Sequence, residues 1–332
     1  MPHISDKSYK KIFKGWLITD CIVINKNLAY LCLRKEVSAK KASMLWDSEI
    51  PSRLVAIHLD NLFSGDLSKD VYDVLEFEGM YKPKLGVTFS PMTQTLLASS
   101  NLDEDGSVLV QGADEDFSIE YIDKENYPGV KKIKCINEFA YAVGLHRSVY
   151  KRTNIDHWIK LTREVAKSDN NSDIGFYDLD GFHEKDMYAV GGKGDIWHYD
   201  GNIWSQCGFP SNEKLSTVIC APDGQVYIGG HGGNIWAGRQ HSWQCIYQGK
   251  EKLWNEMRWF QDQLWLCSDY ALKKWNGKEL VDPEYSDEDA VLIELGIKSG
   301  PCGHMDARDG ILLVADLNSV DLFDGKTWHS IV

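Results

Sequence analysis

The residues able to do chemistry are few and scattered. Asn101, Asp103 and Asp105 before Gly106 place side-chain oxygens at alternate positions, the opening of a calcium loop. The twelfth position, where a bidentate acid would close such a loop, is Gly112, so the segment reads as an acidic hairpin tip with Asp114, Glu115 and Asp116 nearby. Asp178 and Asp180 before Gly181 form a shorter and weaker version. His183, Glu184 and His157 would make acid–base pairs only if the fold brought them together. No Gly-x-Ser-x-Gly elbow, His-Glu-x-x-His helix or Walker loop occurs. The eight cysteines are dispersed, and no two have C-x-x-C spacing. Several lie inside apolar runs, as in Val218-Ile219-Cys220 and Leu264-Trp265-Leu266-Cys267, so they read as buried free thiols in a reducing compartment. The expectation is no catalytic residue, no metal and no cofactor.

The charge balance excludes further classes. Lys and Arg number 36 against 49 Asp and Glu, a net charge of −13 that repels a phosphate backbone. Lys7, Lys10, Lys11 and Lys14 read as a solvated N-terminal arm covering residues 1–15, and nucleic acid is not an expected partner. The first residues lack the apolar stretch of a signal peptide, and no run reaches membrane-span length. A cytoplasmic protein without a membrane partner is expected.

What must position these residues is legible in the aromatics. Twelve Trp and 15 Tyr favour pleated, half-buried surfaces. Tyr188 and Trp204 are 16 residues apart, as are Tyr227 and Trp243, with Trp197 and Trp236 in register between them. Leu313 to Trp328 repeats the pattern at 15 residues and Tyr141 to Trp158 at 17. Extending the comparison gives seven second-strand anchors: Tyr30, Leu97, Tyr141, Tyr188, Tyr227, Trp265 and Leu313. Their spacings run from 38 to 48 residues apart from a first interval of 67, matching blades of four short antiparallel strands. Residues 1–332 are therefore read as one all-β domain, a seven-bladed β-propeller, with six or eight blades as alternatives. The fifth unit divides into strands at Ser216–Cys220, Gln225–Gly229, Asn234–Ala237 and Trp243–Tyr247, here termed a, b, c and d. Turns between a and b (Asn137-Glu138, Pro222-Asp223-Gly224, Asp309-Gly310) and between c and d (Asp200-Gly201, Asn276-Gly277, Asp324-Gly325) carry residues that accept positive φ. The Trp on strand d and the aromatic on strand c are expected to pack between blades.

A glycine pair after an apolar strand (Gly191-Gly192, Gly229-Gly230), an aromatic and then a Trp resembles the kelch-type and related bacterial propeller repeats, over most of residues 129–332. No Trp-Asp dipeptide of the WD40 kind occurs. The resemblance implies architecture; function must come from the loops.

In a four-stranded meander the a–b and c–d turns share one end, and the b–c and d–a connections share the other. The a–b and c–d turns of the clear repeats are minimal, whereas Arg34–Glu49, Ser100–Gly106, Arg163–Asp173 and Asp282–Gly300 elaborate the opposite end, which is expected to bind. Candidate partner-binding residues there are Trp46, Asp103, Glu104, Asp105, His146, Arg147, Lys193, His231, Asp269, Asp287, Glu288 and Asp289. Trp46 breaks the repeat register and reads as an interface anchor. An acidic, motif-poor, signal-free scaffold fits a non-enzymatic protein-binding role. In its most concrete form this is a bacterial immunity or antitoxin protein, monomeric when free, that blocks a basic toxin such as a nuclease. Two alternatives are carried. A lyase or glycosidase-like enzyme would gather carboxylates or histidines of perturbed pKa at the axis. A scaffold subunit would expose a contiguous apolar patch on the outer strands.

Overall fold

The computed structural model describes residues 4–64, 70–100, 106–112, 117–126, 128–162, 175–249, 253–286 and 302–332. Its strands form seven four-stranded antiparallel sheets, each built from consecutive strands, and the fold is a seven-bladed β-propeller. Blade 1 comprises β1 (Trp16–Asn25), β2 (Leu28–Lys35), β3 (Ser52–His58) and β4 (Tyr72–Phe77); blade 2 comprises β5 (Lys84–Thr88), β6 (Gln94–Ala98), β7 (Ser107–Gln111) and β8 (Phe117–Tyr121). Blade 3 holds β9 (Val130–Ile136), β10 (Phe139–Gly144), β11 (Val149–Asn154) and β12 (His157–Lys160); blade 4 holds β13 (Phe176–His183), β14 (Asp186–Gly191), β15 (Asp195–Tyr199) and β16 (Trp204–Gln206). Blade 5 is β17 (Leu215–Cys220), β18 (Val226–Gly230), β19 (Ile235–Arg239) and β20 (Ser242–Tyr247). Blade 6 is β21 (Glu256–Phe260), β22 (Gln263–Cys267), β23 (Leu272–Trp275) and β24 (Leu280–Val281), and blade 7 is β25 (His304–Arg308), β26 (Ile311–Ala315), β27 (Val320–Phe323) and β28 (Trp328–Ser330). All seven sequence anchors fall on second strands.

Burial explains why those second strands were the readable ones. β6, β18 and β26 are buried along their whole length, and β14 at every residue after the first. A strand covered on both faces reads as a continuous apolar run, not an alternating one. Fourth strands such as β16 and β28 have no buried residue, which is why their sequence signal reduces to one Trp. Those Trp side chains do pack between blades: Trp158 joins the core shared by blades 2 and 3, and Trp243 meets Tyr188 of blade 4 edge-on at 6.2 Å. Crowding sets the glycines at the ends of second strands. A Cβ at Gly191 would lie 1.8 Å from the Gly175 carbonyl oxygen, and one at Gly144 would lie 2.2 Å from that of Pro128.

The c–d turns of blades 4, 6 and 7 repeat one hydrogen-bonded design. The side-chain oxygen of Asp200 accepts from the Asn202 and Ile203 amides, that of Asn276 from Lys278 and Glu279, and that of Asp324 from Lys326 and Thr327. Gly201, Gly277 and Gly325 follow at φ 97°, 92° and 92°. These backbone donors hold the Asp200 carboxyl below its usual value.

The chain divides into two compact units, residues 1–79 with 255–332, and residues 80–254. The first contains blades 1, 6 and 7. Here a short helix α1 (Asp6–Ile12), capped by Ser5, replaces the solvated arm and adds no strand. Its lysines stay exposed while Ile12 and Phe13 enter a core shared by blades 1 and 7. Blade 7 supplies all four of its own strands. The long first anchor interval arises because blade 1 carries two insertions: residues 36–51 between its second and third strands, and residues 59–71 between its third and fourth. The latter includes a helix, α3 (Leu59–Ser64), whose Leu59 and Leu62 cover the same core, so elaboration is not confined to one end of the blades.

The second unit contains blades 2 to 5 and a fully buried ion pair. Arg152 on β11 donates through Nε to Glu120 Oε2 (2.8 Å) and through Nη2 to Glu120 Oε1 (2.5 Å) and Gln94 Oε1 (2.8 Å). Trp158 Nε1 donates to the same carboxylate at 3.1 Å. Burial alone would raise the Glu120 carboxyl, but the hydrogen bonds and charge of Arg152 outweigh it and hold the group low.

Two predictions follow from this core. Arg152→Met strands Glu120 and should cost about 3–5 kcal/mol in denaturant unfolding, while the Arg152→Met/Glu120→Gln pair recovers most of the loss. Because Glu120 titrates lower in the folded chain, its contribution is complete above about pH 4.3 and is lost as pH falls through the folded value. Unfolding curves between pH 5 and 3 should therefore steepen for the wild type and flatten for the double variant. All eight cysteines are free. Burial pushes the Cys207 thiol up to about 12 and that of Cys302 to about 11, and raises those of Cys21 and Cys267. Iodoacetamide at pH 8 should leave these four unmodified in native protein and alkylate them after denaturation, as read by mass spectrometry.

Candidate functional site

The first strands carry most of the buried carboxylates, and their positions show what those groups do. On β13, Asp178 Oδ1 accepts from its neighbour Leu179 N (2.9 Å), while Oδ2 accepts from Thr217 Oγ1 and Val218 N on β17, both at 2.9 Å. Asp180 Oδ2 accepts from Cys220 N at 2.9 Å, and its burial raises that carboxyl against the opposing charge of Lys134. In the other unit, Asp306 on β25 repeats the stitch by accepting from Val23 N of β1 at 2.9 Å and from Arg258 Nε at 2.8 Å. Asp178 and Asp180 thus lie within a strand and clamp the next blade, which corrects their reading as a weak calcium-loop opening. Asp20, Glu256 and His304 bring possible ligand atoms within 4.8 Å of one another, a convergence that residues so far apart in sequence gave no means of seeing. There Asp20 accepts from Cys21 N at 3.0 Å and Glu256 pairs with Arg258 Nη1 at 2.9 Å.

The histidine candidates do not assemble. His157 faces Thr153 at 2.5 Å, His183 Nδ1 accepts from Lys185 N at 3.2 Å, and Glu184 pairs with Lys151 at 3.0 Å. The two histidines are occupied on their own turns, and Glu184 is taken by a lysine of the preceding blade.

The loops at the b–c end present a different picture. In blade 1, residues 36–51 are an ordered platform: α2 (Ala39–Ala42) is capped by Ser38, and Arg34 donates to the Asp47 carboxylate at 2.6 Å. The Glu49 carboxylate accepts from Trp46 N at 2.7 Å. On this fixed base the Trp46 side chain is 80% exposed, with Met44 exposed beside it. In blade 6 Asp269 is exposed and accepts from Asn255 Nδ2 at 2.5 Å. Next to it Tyr270 is 81% exposed, on a turn tied by Ser268 Oγ to the Tyr270 and Ala271 amides.

In residues 80–254, His146 and Arg147 form a tight turn with φ 56° and 55°. His146 is exposed, but Arg147 is a strut: its Nε and Nη2 donate to the two oxygens of Asp195 at 2.7 and 3.2 Å, and it lies 5.3 Å from the Trp197 ring centroid. Lys193 and His231 are exposed, and the His231 amide donates to the Lys214 carbonyl at 2.8 Å. Asp103, Glu104, Asp105, Asp287, Glu288 and Asp289 lie outside the described residues.

Comparison with known proteins gives this loop-bearing scaffold its relatives. No family profile matches the chain, so the kelch-type resemblance extends to architecture alone. Over 252 residues the chain is 30% identical to the immune protein Tsi7 of Pseudomonas aeruginosa, covering 74% of this chain and 78% of the relative. The chain belongs to the Tsi7 family of immune proteins. Solved structures share the fold at low identity. The WD40 propeller domain of Doa1 has a TM-score of 0.60 at 12% identity and covers 92% of each chain. YCF48 bound to the D1 peptide has a TM-score of 0.61 at 11% identity, covering 96% of this chain and 92% of the other. Virginiamycin B lyase from Staphylococcus aureus has a TM-score of 0.55 at 9% identity, covering 75% and 83%. Propeller architecture is thus shared among proteins of unlike activity, and the immune role comes from the family, not from the fold.

The stitch carries its own prediction. Asp178→Ala leaves the Val218 amide and the Thr217 hydroxyl buried without their acceptor and should cost about 2–4 kcal/mol in urea unfolding. Asp269→Ala, at an exposed loop, should stay within about 0.5 kcal/mol of wild type.

Proposed function

We propose that this chain is a non-enzymatic immunity protein that binds a toxin through the b–c and d–a end of its blades and occludes the toxin's active site. The observation that carries the reading is the 30% identity to immune protein Tsi7 over most of both chains. Geometry supports it. Trp46 and Tyr270 are held on hydrogen-bonded turns yet exposed, an arrangement that offers rigid aromatic area at small entropic cost on binding. The first-strand carboxylates with described partners are engaged in stitches and ion pairs, which favours binding over hydrolytic chemistry.

The net charge of −13 favours a partner of net positive charge, such as a nuclease, and disfavours nucleic acid itself. The cysteines are free and five of them are buried, which accords with action in a reducing compartment such as the cytoplasm; the chain is assigned as a monomer when free. Contact residues are assigned within each compact unit: exposed Trp46 and Asp269, with Asp287, Glu288 and Asp289, in residues 1–79 and 255–332, and exposed His146, Lys193 and His231, with Asp103, Glu104 and Asp105, in residues 80–254, where Arg147 serves by fixing its turn.

The experiment is a titration against the product of the adjacent gene. A complex should form at low salt and weaken as salt rises. Trp46→Ala should raise Kd at least tenfold, the effect of losing a hot-spot aromatic worth about 2 kcal/mol, with an unchanged melting temperature. Alanines at Asp200, Asn276 and Asp324, at the other end of the blades, should leave Kd unchanged. The absence of a complex at low salt, or a loss confined to the Asp200, Asn276 and Asp324 variants, would refute the reading.

A further inference from the structure

Residues 80–254 carry a concentration of cations that the acidity of the whole chain conceals. β5 begins at Lys84, Lys131 is the second residue of β9, and Lys214 immediately precedes β17, while Lys82 lies two residues before Lys84. First strands start at the d–a connections, so all four lysines stand at the b–c and d–a end of blades 2, 3 and 5. The first strands of blades 2 to 5 pack successively on one another, β5 on β9, β9 on β13 and β13 on β17, which brings the starts that carry these lysines to one end; Lys131 is half-buried, and burial together with the charges of Lys84, Lys82 and Lys214 lowers its amine below the ordinary value. Aromatic rings hold two of the stems, with Lys214 Nζ 4.2 Å from the Tyr177 centroid and Lys82 Nζ 5.4 Å from that of Tyr81.

Elsewhere in the chain lysines find carboxylates, as Lys151 finds Glu184, Lys273 finds Asp282 and Lys274 finds Glu284. Among the described residues no carboxylate stands within 4.0 Å of Lys84, Lys131 or Lys214. Further along β9 the Lys134 ammonium is buried without a hydrogen-bond partner among them. Four gathered ammonium groups repel one another, and in a chain with 49 acidic residues nothing in composition forces them together. Such a cluster is stabilised when an anion enters it.

We propose that Lys82, Lys84, Lys131 and Lys214 form an anion-recognition site that receives an acidic segment of the partner protein. The assignment rests on the toxin-binding reading of this end of the blades. A protein carboxylate is the occupant this reading selects, because a partner docked on this end of the blades brings its own acidic side chains against the lysines, where opposite charges are complementary. The overall negative field would steer a basic partner inward, and a local inversion of sign would then fix its orientation.

The test compares wild type with Lys84→Met/Lys131→Met, which keeps the apolar stems and removes two charges. The probes are the adjacent gene's product and, separately, inorganic triphosphate. The double variant is expected to bind the partner at least tenfold more weakly at low salt, with a flatter salt dependence. Its melting temperature should equal or exceed that of wild type, because repulsion has been relieved. Unchanged partner affinity would overturn the proposal, and so would a fall in melting temperature that accounts for the loss of binding. If wild type binds no partner, the toxin-binding reading fails and this assignment falls with it. Triphosphate binding to wild type and not to the variant would then give the cluster to a free anion instead. Trp46→Ala serves as the control, losing partner affinity while its triphosphate titration matches wild type.

Discussion

A first strand in this protein has a neighbour in the adjacent blade whose backbone amides must be answered in a place water does not reach. Aspartates on the first strands answer them: Asp178 and Asp180 for Val218 and Cys220, and Asp306 for Val23. A carboxylate is costly to bury, but one that accepts backbone N–H groups is repaid by charge-assisted hydrogen bonds. The same device appears once in each compact unit, at the junctions of blades 4 and 5 and of blades 7 and 1. With the stitches in place, second strands can be covered on both faces and fourth strands left wet.

That constraint has a consequence for function. Carboxylates that stitch blades are committed as hydrogen-bond acceptors, and the ion pairs of Arg258 with Glu256 and Asp306 commit further groups. The loops, by contrast, have a backbone conformation that is free of the blade-to-blade register. In residues 36–51, Arg34, Ser38 and Glu49 spend their hydrogen bonds on holding the shape of the loop, and Trp46 is left facing water. Family membership with immune protein Tsi7 and fold likeness to a peptide-bound protein and a lyase divide along the same line. The scaffold is common to proteins of unlike activity.

Much of the architecture could be read before any coordinates. Tyr30, Tyr141, Tyr188, Tyr227 and Trp265 sit on doubly covered strands, where only apolar residues survive, so periodic spacing survived too. The turn residues were equally legible, because Asp200-Gly201, Asn276-Gly277 and Asp324-Gly325 answer a local demand for positive φ and a side-chain acceptor. The first anchor interval resisted interpretation because residues 36–51 and 59–71 lengthen blade 1 without repeating anything. Arg147 looked like a loop cation free to meet a partner. Its bond to Asp195 spans blades, and no spacing rule relates residues on different blades.

Local chemistry is written in consecutive residues, so the second strands and the tight turns were determined by the order of amino acids alone, while the count of seven blades still stood beside six and eight. What only the tertiary structure decided is which polar groups meet. Asp178 found the Val218 amide, Arg152 found Glu120, and Lys131 came under the charges of Lys84 and Lys214, each across tens of residues. Charges act through space and not along the chain, and their environment exists only once the blades have packed.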